Sequence, residues 1–275
     1  MASKSPAPRV TFLGAGKLGS ILIQALIKSG SLSPRATLAT VHQPAKTAAL
    51  SEKLGIPVST NNAEAVAKAD IVFLCVKPQS VIDVVREISP RLNPRQLIIS
   101  VAASVPTALI EQEIPKGLPV VRAMPNTPCE LGYGATAVCG GRFATPQHVA
   151  RAVAFFDAVG RTVVVDEKLM DAVTALSASG PAYIYIILES LAEAGVKVGL
   201  PRDIATLLAA QTVLGSAQVA LQTGRHPALL KDAVTTPAGC TVDGLLELEE
   251  GGLRVTLIKA VVKACERARE LAFKG

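Results

Sequence analysis

Residues Arg9 to Gly30, RVTFLGAGKLGSILIQALIKSG, read as strand, turn and helix in immediate succession. Arg9 to Leu13, RVTFL, is a short apolar run rich in strand formers, the pattern of a buried strand. Ser20 to Gly30 has helical periodicity and ends on a glycine. Between them lies GAGKLG, Gly14 to Gly19. The spacing G-x-G-x-x-G in this setting is a dinucleotide-binding fingerprint, whereas the same string in an arbitrary loop carries little weight. Gly14 permits the tight turn, Gly16 lets a pyrophosphate approach the backbone, and Gly19 lets the helix pack closely on the strand. Lys17 and Leu18 sit at the helix start, where unpaired N–H groups face an anion. Gly14, Gly16, Lys17, Leu18 and Gly19 are therefore candidate cofactor contacts.

Outward from this unit the alternation continues. Strands are expected at Ala36 to Thr40, Ile56 to Val58, Asp70 to Val76, Gln96 to Val101 and Leu118 to Arg122. Helices are expected between them at Gln43 to Leu54, Ala63 to Lys68, Gln79 to Ile88 and Thr107 to Glu113. Such alternation predicts a parallel sheet with helices on both faces. Edge strands at Gly134 to Cys139 and Thr162 to Val165 are expected around a helix from Pro146 to Val159. Near Asp166 the pattern changes. Three long helical runs follow, Leu169 to Gly195, Pro201 to Gly224 and Gly251 to Phe273. A polar, turn-rich stretch, Arg225 to Gly239, precedes a shorter helix, Thr241 to Glu250. The expected architecture is α/β: an N-terminal Rossmann-like parallel-sheet domain over residues 1–165, then an all-helical domain over 166–275. Pro201 to Gly224 carries apolar residues around much of its surface, which wants burial on several faces; an intertwined dimer is expected.

Open sheets bind ligands at the carboxyl ends of their strands. The second strand runs out into Thr40-Val41-His42-Gln43-Pro44-Ala45-Lys46 without an acid. An acid at that place normally holds the ribose 2′-hydroxyl of NAD. His42, Gln43 and Lys46 can meet a 2′-phosphate instead, although Lys46 also fits a plain solvated helix position. NADP(H) is expected in preference to NAD(H). No Asp or Glu occurs before Glu52. Val76, Lys77 and Pro78 close the fourth strand, where Lys77 is either a contact to cofactor hydroxyls or a surface lysine. After the fifth, Ala102 and Ala103 leave space for a ring. At the sixth, Asn126 presents an amide to cofactor or substrate, or simply forms the turn.

Composition narrows the class. The 275 residues are 49% hydrophobic and 18% charged, the profile of a globular chain long enough for two modest cores. Net charge is +6, but the basic residues are scattered and lack interleaved aromatics. That favours mild steering of anionic ligands over nucleic-acid binding. No run approaches the roughly 20 apolar residues that span a bilayer, the longest apolar stretches being interrupted by charge or bounded by turn residues, and the N-terminus has no leader pattern. No membrane association and a cytoplasmic location are expected. The five cysteines are odd in number and match no common zinc spacing, so free thiols and no metal are expected.

Taken together, FLGAGKLG, VKP at Val76 to Pro78, RAMPNTP at Arg122 to Pro128, ALSASGPAY at Ala175 to Tyr183, AAQTVLGSA at Ala209 to Ala217 and HPALLKDAVTTPAGCTVDGL at His226 to Leu245 resemble the pyrroline-5-carboxylate reductase family over essentially the whole chain. The resemblance implies NADPH-dependent reduction of the C=N bond of a small cyclic imino acid to proline. It implies a C-terminal dimerisation domain, active sites assembled between one subunit's cofactor domain and its partner's helical domain, and in many members decamers of five dimers. It places the substrate loop at Thr235 to Thr241. The N–H groups of Gly239, Cys240 and Thr241 would hold the substrate carboxylate, Thr236 would line the site, and the Thr241 hydroxyl would face the imine nitrogen as the catalytic group. Ala238 stands where the family has glycine, Cys240 where it has a small residue or threonine, Ala178 where it has glycine, and Arg225 where Glu or Gln is more usual. From the residues alone, the loop is a turn before a helix start with free N–H groups, or an interhelical connection capped by Thr241.

Two rivals are weaker. A hydroxyacid dehydrogenase of the same domain order needs a Lys and an Asn along the helix after the linker, and SASGPAYIYIILESLAEAG offers apolar residues at those places. A nonenzymatic NADP-binding sensor would bind cofactor without turnover.

Overall fold

The computed structural model describes residues 7–272; Phe273, the expected end of the last helix, lies outside them. Eight strands form one sheet: β1 (Val10–Leu13), β2 (Thr37–Thr40), β3 (Val58–Ser59), β4 (Ile71–Leu74), β5 (Leu97–Ser100), β6 (Val120–Met124), β7 (Gly134–Gly140) and β8 (Gly160–Val164). Their spatial order is β3-β2-β1-β4-β5-β6-β7-β8. Helices α1 (Lys17–Lys28), α2 (Thr47–Leu54), α3 (Asn62–Val66), α4 (Val81–Ile88) and α5 (Thr107–Gln112) follow β1 to β5, and α6 (Pro146–Asp157) joins β7 to β8. The chain reverses its direction of winding between β1 and β4, so a crevice opens at their carboxyl ends.

Both sheet faces are covered, and the period-two pattern decides which residue faces which core. On β4, Ile71 and Phe73 join one core with Leu22, Leu26 and Phe156. Val72 and Leu74 join the other with Val85, Ile88 and Ile110. Phe12 stacks on Phe73 at 4.5 Å across the β1–β4 pair, anchoring the strands whose ends form the crevice.

One expectation is corrected here. The sheet is not wholly parallel, because β6 and β7 run antiparallel. A parallel crossover needs a dozen or more residues. Only the short turn Thr127–Leu131 and a few flanking residues separate β6 from β7, so the strand must fold straight back.

By compactness the chain divides into residues 1–179 with 264–275, and residues 180–263. This compact division falls after Ser179, so the residues that follow 165 pack on the side of the sheet. The reason is packing: Met170 is buried against Met124, Ala137 and Cys139 of β6 and β7. Glu167 accepts hydrogen bonds from the Thr107 N–H (2.7 Å) and hydroxyl (2.8 Å) and pairs with Arg122 Nη1 at 3.4 Å. The single helix expected from Leu169 to Gly195 is divided into α7 (Met170–Val173), a π turn (Thr174–Ala178) and α8 (Gly180–Lys197).

The second unit contains α8, α9 (Arg202–Thr223), α10 (Pro227–Ala233), α11 (Cys240–Glu250) and the start of α12 (Leu253–Ala272). Ala192, Ala205 and Ala209 are buried, and a Cβ on Gly195 would come within 2.8 Å of Ala205 Cβ. Small residues let α8 and α9 approach closely, which suits a chain with few aromatics. The turn-rich stretch Arg225 to Gly239 contains the unexpected α10. His226 caps it by accepting from the Ala228 N–H, and Pro227 occupies its first position.

Two helical stretches, Glu167–Lys197 and Arg202–Thr223, are long and apolar enough to cross a membrane by length and composition. This corrects the sequence reading, which counted uninterrupted apolar runs and so missed helices with sparse charges. Ile186, Leu207, Leu208 and Leu221 are all more than half exposed in the single chain.

Candidate functional site

The fingerprint glycines take three different positions. Gly14 has φ +101°, and a Cβ there would stand 2.8 Å from the Cys75 carbonyl oxygen at the end of β4. At Gly19 a Cβ would run into the Gly14 carbonyl oxygen and lie 3.2 Å from Cys75 Cβ. These two glycines weld the turn, α1 and β4 together. Around Gly16 nothing lies within 4 Å of such an atom. Gly16 is also the N-cap of α1, with no side-chain cap and no acid in the first turn. An open glycine beneath uncapped N–H groups is the form a pyrophosphate requires, so the residues present fit a dinucleotide.

A cleft of about 580 Å³ adjoins this turn, lined by Gly14, Gly16, His42, Gln43, Lys46, Val76, Lys77 and residues of α3 and α4. Gly14 N–H and Ala15 N–H donate to the Thr40 carbonyl at 3.2 and 2.7 Å, fixing the end of β2 beside the turn. Sequence reasoning missed part of the lining. Asn62 accepts the Thr40 hydroxyl at 2.6 Å and donates to Glu87 Oε2 at 2.9 Å. Glu87 is therefore an acid in the cleft, delivered by α4 and not by β2. No local signal marks it, because sequence shows only the acid that follows the second strand directly.

A second recess of about 310 Å³ lies along the same sheet edge, lined by Leu18, Val76, Pro78, Ala102, Ala103 and Asn126, with Cys75, Met124, Thr174 and Ala178. It is mostly apolar and has room for a small ring. Burial pushes the Cys75 thiol up to about 12, so Cys75 meets this space as an uncharged thiol. Of the proposed cofactor contacts, Lys17 and Gly19 line neither space: Lys17 is exposed at the first position of α1, and Gly19 is buried where the helix packs on the turn.

Asn126 caps the turn Thr127–Leu131 after β6 and also lines the recess. It is 9% exposed; its Nδ2 donates to the Ser177 carbonyl at 3.0 Å and its Oδ1 accepts the Ala135 N–H at 2.8 Å. Both ends of the amide are thus held by the protein. Ser104, next to Ala102 and Ala103, has φ +59°, and its hydroxyl donates to the Ala268 carbonyl at 2.9 Å. A non-glycine residue in this region costs free energy and persists where its surroundings impose it.

In the second unit, the turn before α11 departs from expectation. Gly239 is the N-cap, so the helix begins at Cys240, and Thr241 is its second residue and not its cap. The Gly239 N–H donates to the Thr236 carbonyl at 3.0 Å, and the Val242 N–H to the Gly239 carbonyl at 3.0 Å. Of the three N–H groups expected to hold a carboxylate, Gly239's is spent within the turn. Those of Cys240 and Thr241 are the helix-end donors. Thr236 is exposed, packed against Gly239, and Thr241 is half-buried.

Ala238 has φ +56°. A left-handed residue other than glycine costs roughly 1–2 kcal/mol, partly offset by the greater chain entropy of an unfolded glycine. Ala238→Gly is expected to raise stability by about 0.5–1 kcal/mol, read as a higher melting temperature. A lower one would show that the alanine methyl contributes packing that outweighs the strain.

Comparison with known proteins returns a consistent set. A family model described as pyrroline-5-carboxylate reductase dimerisation matches residues 167–271, and one described as NADP oxidoreductase, coenzyme F420-dependent, matches residues 9–104. The chain is 45% identical to a pyrroline-5-carboxylate reductase of Methanosarcina acetivorans, over 97% of this chain and 98% of that one. It is 42% identical to the Arabidopsis thaliana enzyme of the same name, over 96% and 95%. Among solved structures, the Plasmodium falciparum pyrroline carboxylate reductase with NADP bound superposes with a TM-score of 0.87 at 29% identity, covering 96% of this chain and 98% of that one.

Proposed function

The chain belongs to the pyrroline-5-carboxylate reductase family, and from that premise we propose that it reduces the C=N bond of 1-pyrroline-5-carboxylate to give L-proline, with NADPH preferred over NADH. The observation that carries this reading is the pair of spaces on one sheet edge: a dinucleotide cleft built on an open Gly16, and an apolar recess beside it. NADPH, when bound, supplies the hydride. The chain's own part is to bind, orient and shield. Gly14, Gly16 and the first turn of α1 hold the pyrophosphate. Ala102 and Ala103 leave room for the pyrroline ring. The substrate carboxylate falls to the Cys240 and Thr241 N–H groups of the helical unit that a partner subunit supplies, the shared arrangement that the family resemblance implies. The Thr241 hydroxyl donates to the nitrogen lone pair that appears as C=N becomes C–N. A protonated imine is already a good hydride acceptor, so no strong acid is required of the protein. Turnover of NADPH with pyrroline-5-carboxylate, followed by absorbance, tests the reading. Tight NADPH binding without turnover would replace it with a sensor.

The NADPH preference rests on the absence of an acid at the end of β2 and on His42, Gln43 and Lys46 around the cleft. Glu87 is the acid that stands against it, and its hydrogen bond to Asn62 ties it to the α3 side. Loss of one charged contact to a phosphate costs roughly tenfold in binding. Lys46→Ala is therefore expected to raise KM for NADPH about tenfold and leave KM for NADH unchanged. Wild-type KM values favouring NADH would overturn the preference.

The C-terminal region is a dimerisation domain. Its exposed apolar helices are what a partner subunit covers. We place five such dimers in a decamer, in the cytoplasm; the free thiols suit a reducing compartment. Light scattering at ten times the 28.5 kDa chain mass is the expected result, and a mass that stops at the dimer would limit assembly to that level.

A further inference from the structure

We propose that Asn126 is a positioning residue for the reduction: its amide clamps the π turn Thr174–Ala178 and so sets one wall of the recess in which the substrate ring is reduced. The proposal rests on the functional reading above. Its basis is a carbonyl without an α-helical donor. In an α-helix the Ser177 carbonyl would accept from the N–H four residues on, and that residue is Pro181, which has none. The helix widens just before it, with the Ser179 N–H bonding back to the Thr174 carbonyl at 2.9 Å. Asn126 supplies the missing donor, Nδ2 to Ser177 O at 3.0 Å. The other end of the amide is tied to the Ala135 N–H at the start of β7. One buried side chain thus bridges the end of β6, the start of β7 and the π turn.

The consequence for the site follows from the lining. Thr174 and Ala178, at the two ends of the π turn, face the same recess as Ala102, Ala103 and Met124. The Thr174 hydroxyl is itself spent on the Met170 carbonyl at 2.8 Å. The wall's position therefore depends on the backbone of the turn, and the turn's free carbonyl is held by Asn126. π turns inside helices recur at functional sites; here the device that holds one is visible.

Asn126→Asp keeps an oxygen for the Ala135 N–H but sets a carboxylate oxygen against the Ser177 carbonyl. In the apo protein, amide hydrogen exchange across residues 174–179 is expected to accelerate roughly tenfold or more. In the enzyme, kcat for pyrroline-5-carboxylate is expected to fall roughly ten- to hundred-fold, the range that a small misplacement of reacting groups produces. The dissociation constant of NADPH is expected to stay within about twofold. Unchanged exchange in that segment, or an unchanged kcat, overturns the proposal. So does a loss of NADPH affinity in step with kcat, which would make Asn126 a ligand contact. Asn126→Ser, too short to reach both partners, carries the same expectations where the aspartate variant does not fold. A wild-type protein without turnover would overturn the functional reading, while the exchange measurement would still report on the clamp.

Discussion

Gly16→Ala is expected to fold with the wild-type melting temperature and to bind NADPH at least ~100-fold more weakly. The added methyl meets nothing of the protein, since no heavy atom lies within 4 Å of its place. It stands instead over the N-terminus of α1, where the pyrophosphate must come close to the backbone. Each hydrogen bond to a charged group contributes roughly 1.5–3 kcal/mol, and displacement of the pyrophosphate weakens more than one. About 2.7 kcal/mol already corresponds to ~100-fold. Gly19→Ala is the control. Its methyl would strike the Gly14 carbonyl oxygen, so that variant is expected to lose stability and cofactor affinity together. Titration of NADPH fluorescence beside a thermal melt separates the two. Normal NADPH affinity in Gly16→Ala would place the pyrophosphate elsewhere.

Thr241→Val is expected to lower kcat roughly 5- to 150-fold, to change substrate KM less, and to leave NADPH affinity alone. Valine keeps the shape and the backbone N–H but removes the hydroxyl. A buried hydrogen bond is worth roughly 1–3 kcal/mol when its loss leaves a partner unpaired, which gives the quoted range. The bond strengthens as the nitrogen acquires its lone pair, so its loss falls on the transition state more than on the bound substrate. Because Gly239 is the N-cap of α11, the variant removes no helix cap. A melting temperature near wild type is therefore part of the expectation. An unchanged kcat in folded Thr241→Val would remove this threonine from the chemistry.

The dinucleotide cleft was legible because its parts are local. Gly14, Gly16 and Gly19 lie within one turn, and each strand end adds a few consecutive residues, so spacing alone carries the geometry. The turn before α11 is assigned to the substrate only through resemblance, and the bonding of the Gly239 N–H to the Thr236 carbonyl is visible only in the fold. Glu87, Asn62 and Thr174 could not be read at all. They reach the two spaces from α3, α4 and the π turn, and nothing near them in the chain marks their destination.

The order of strands and helices, the nucleotide turn, the missing acid after β2 and the change to an all-helical region can all be read along the chain, since each is a matter of period, glycine placement or residue type within a short window. Tertiary structure decided what depends on two distant segments meeting. It reversed β7 against β6, buried Met170 with the sheet, and set the Asn126 amide against the Ser177 carbonyl. The physical reason is the same in each case. A hydrogen-bonding group or an apolar side chain declares its need in the sequence, but which partner meets that need is settled only when the chain has folded.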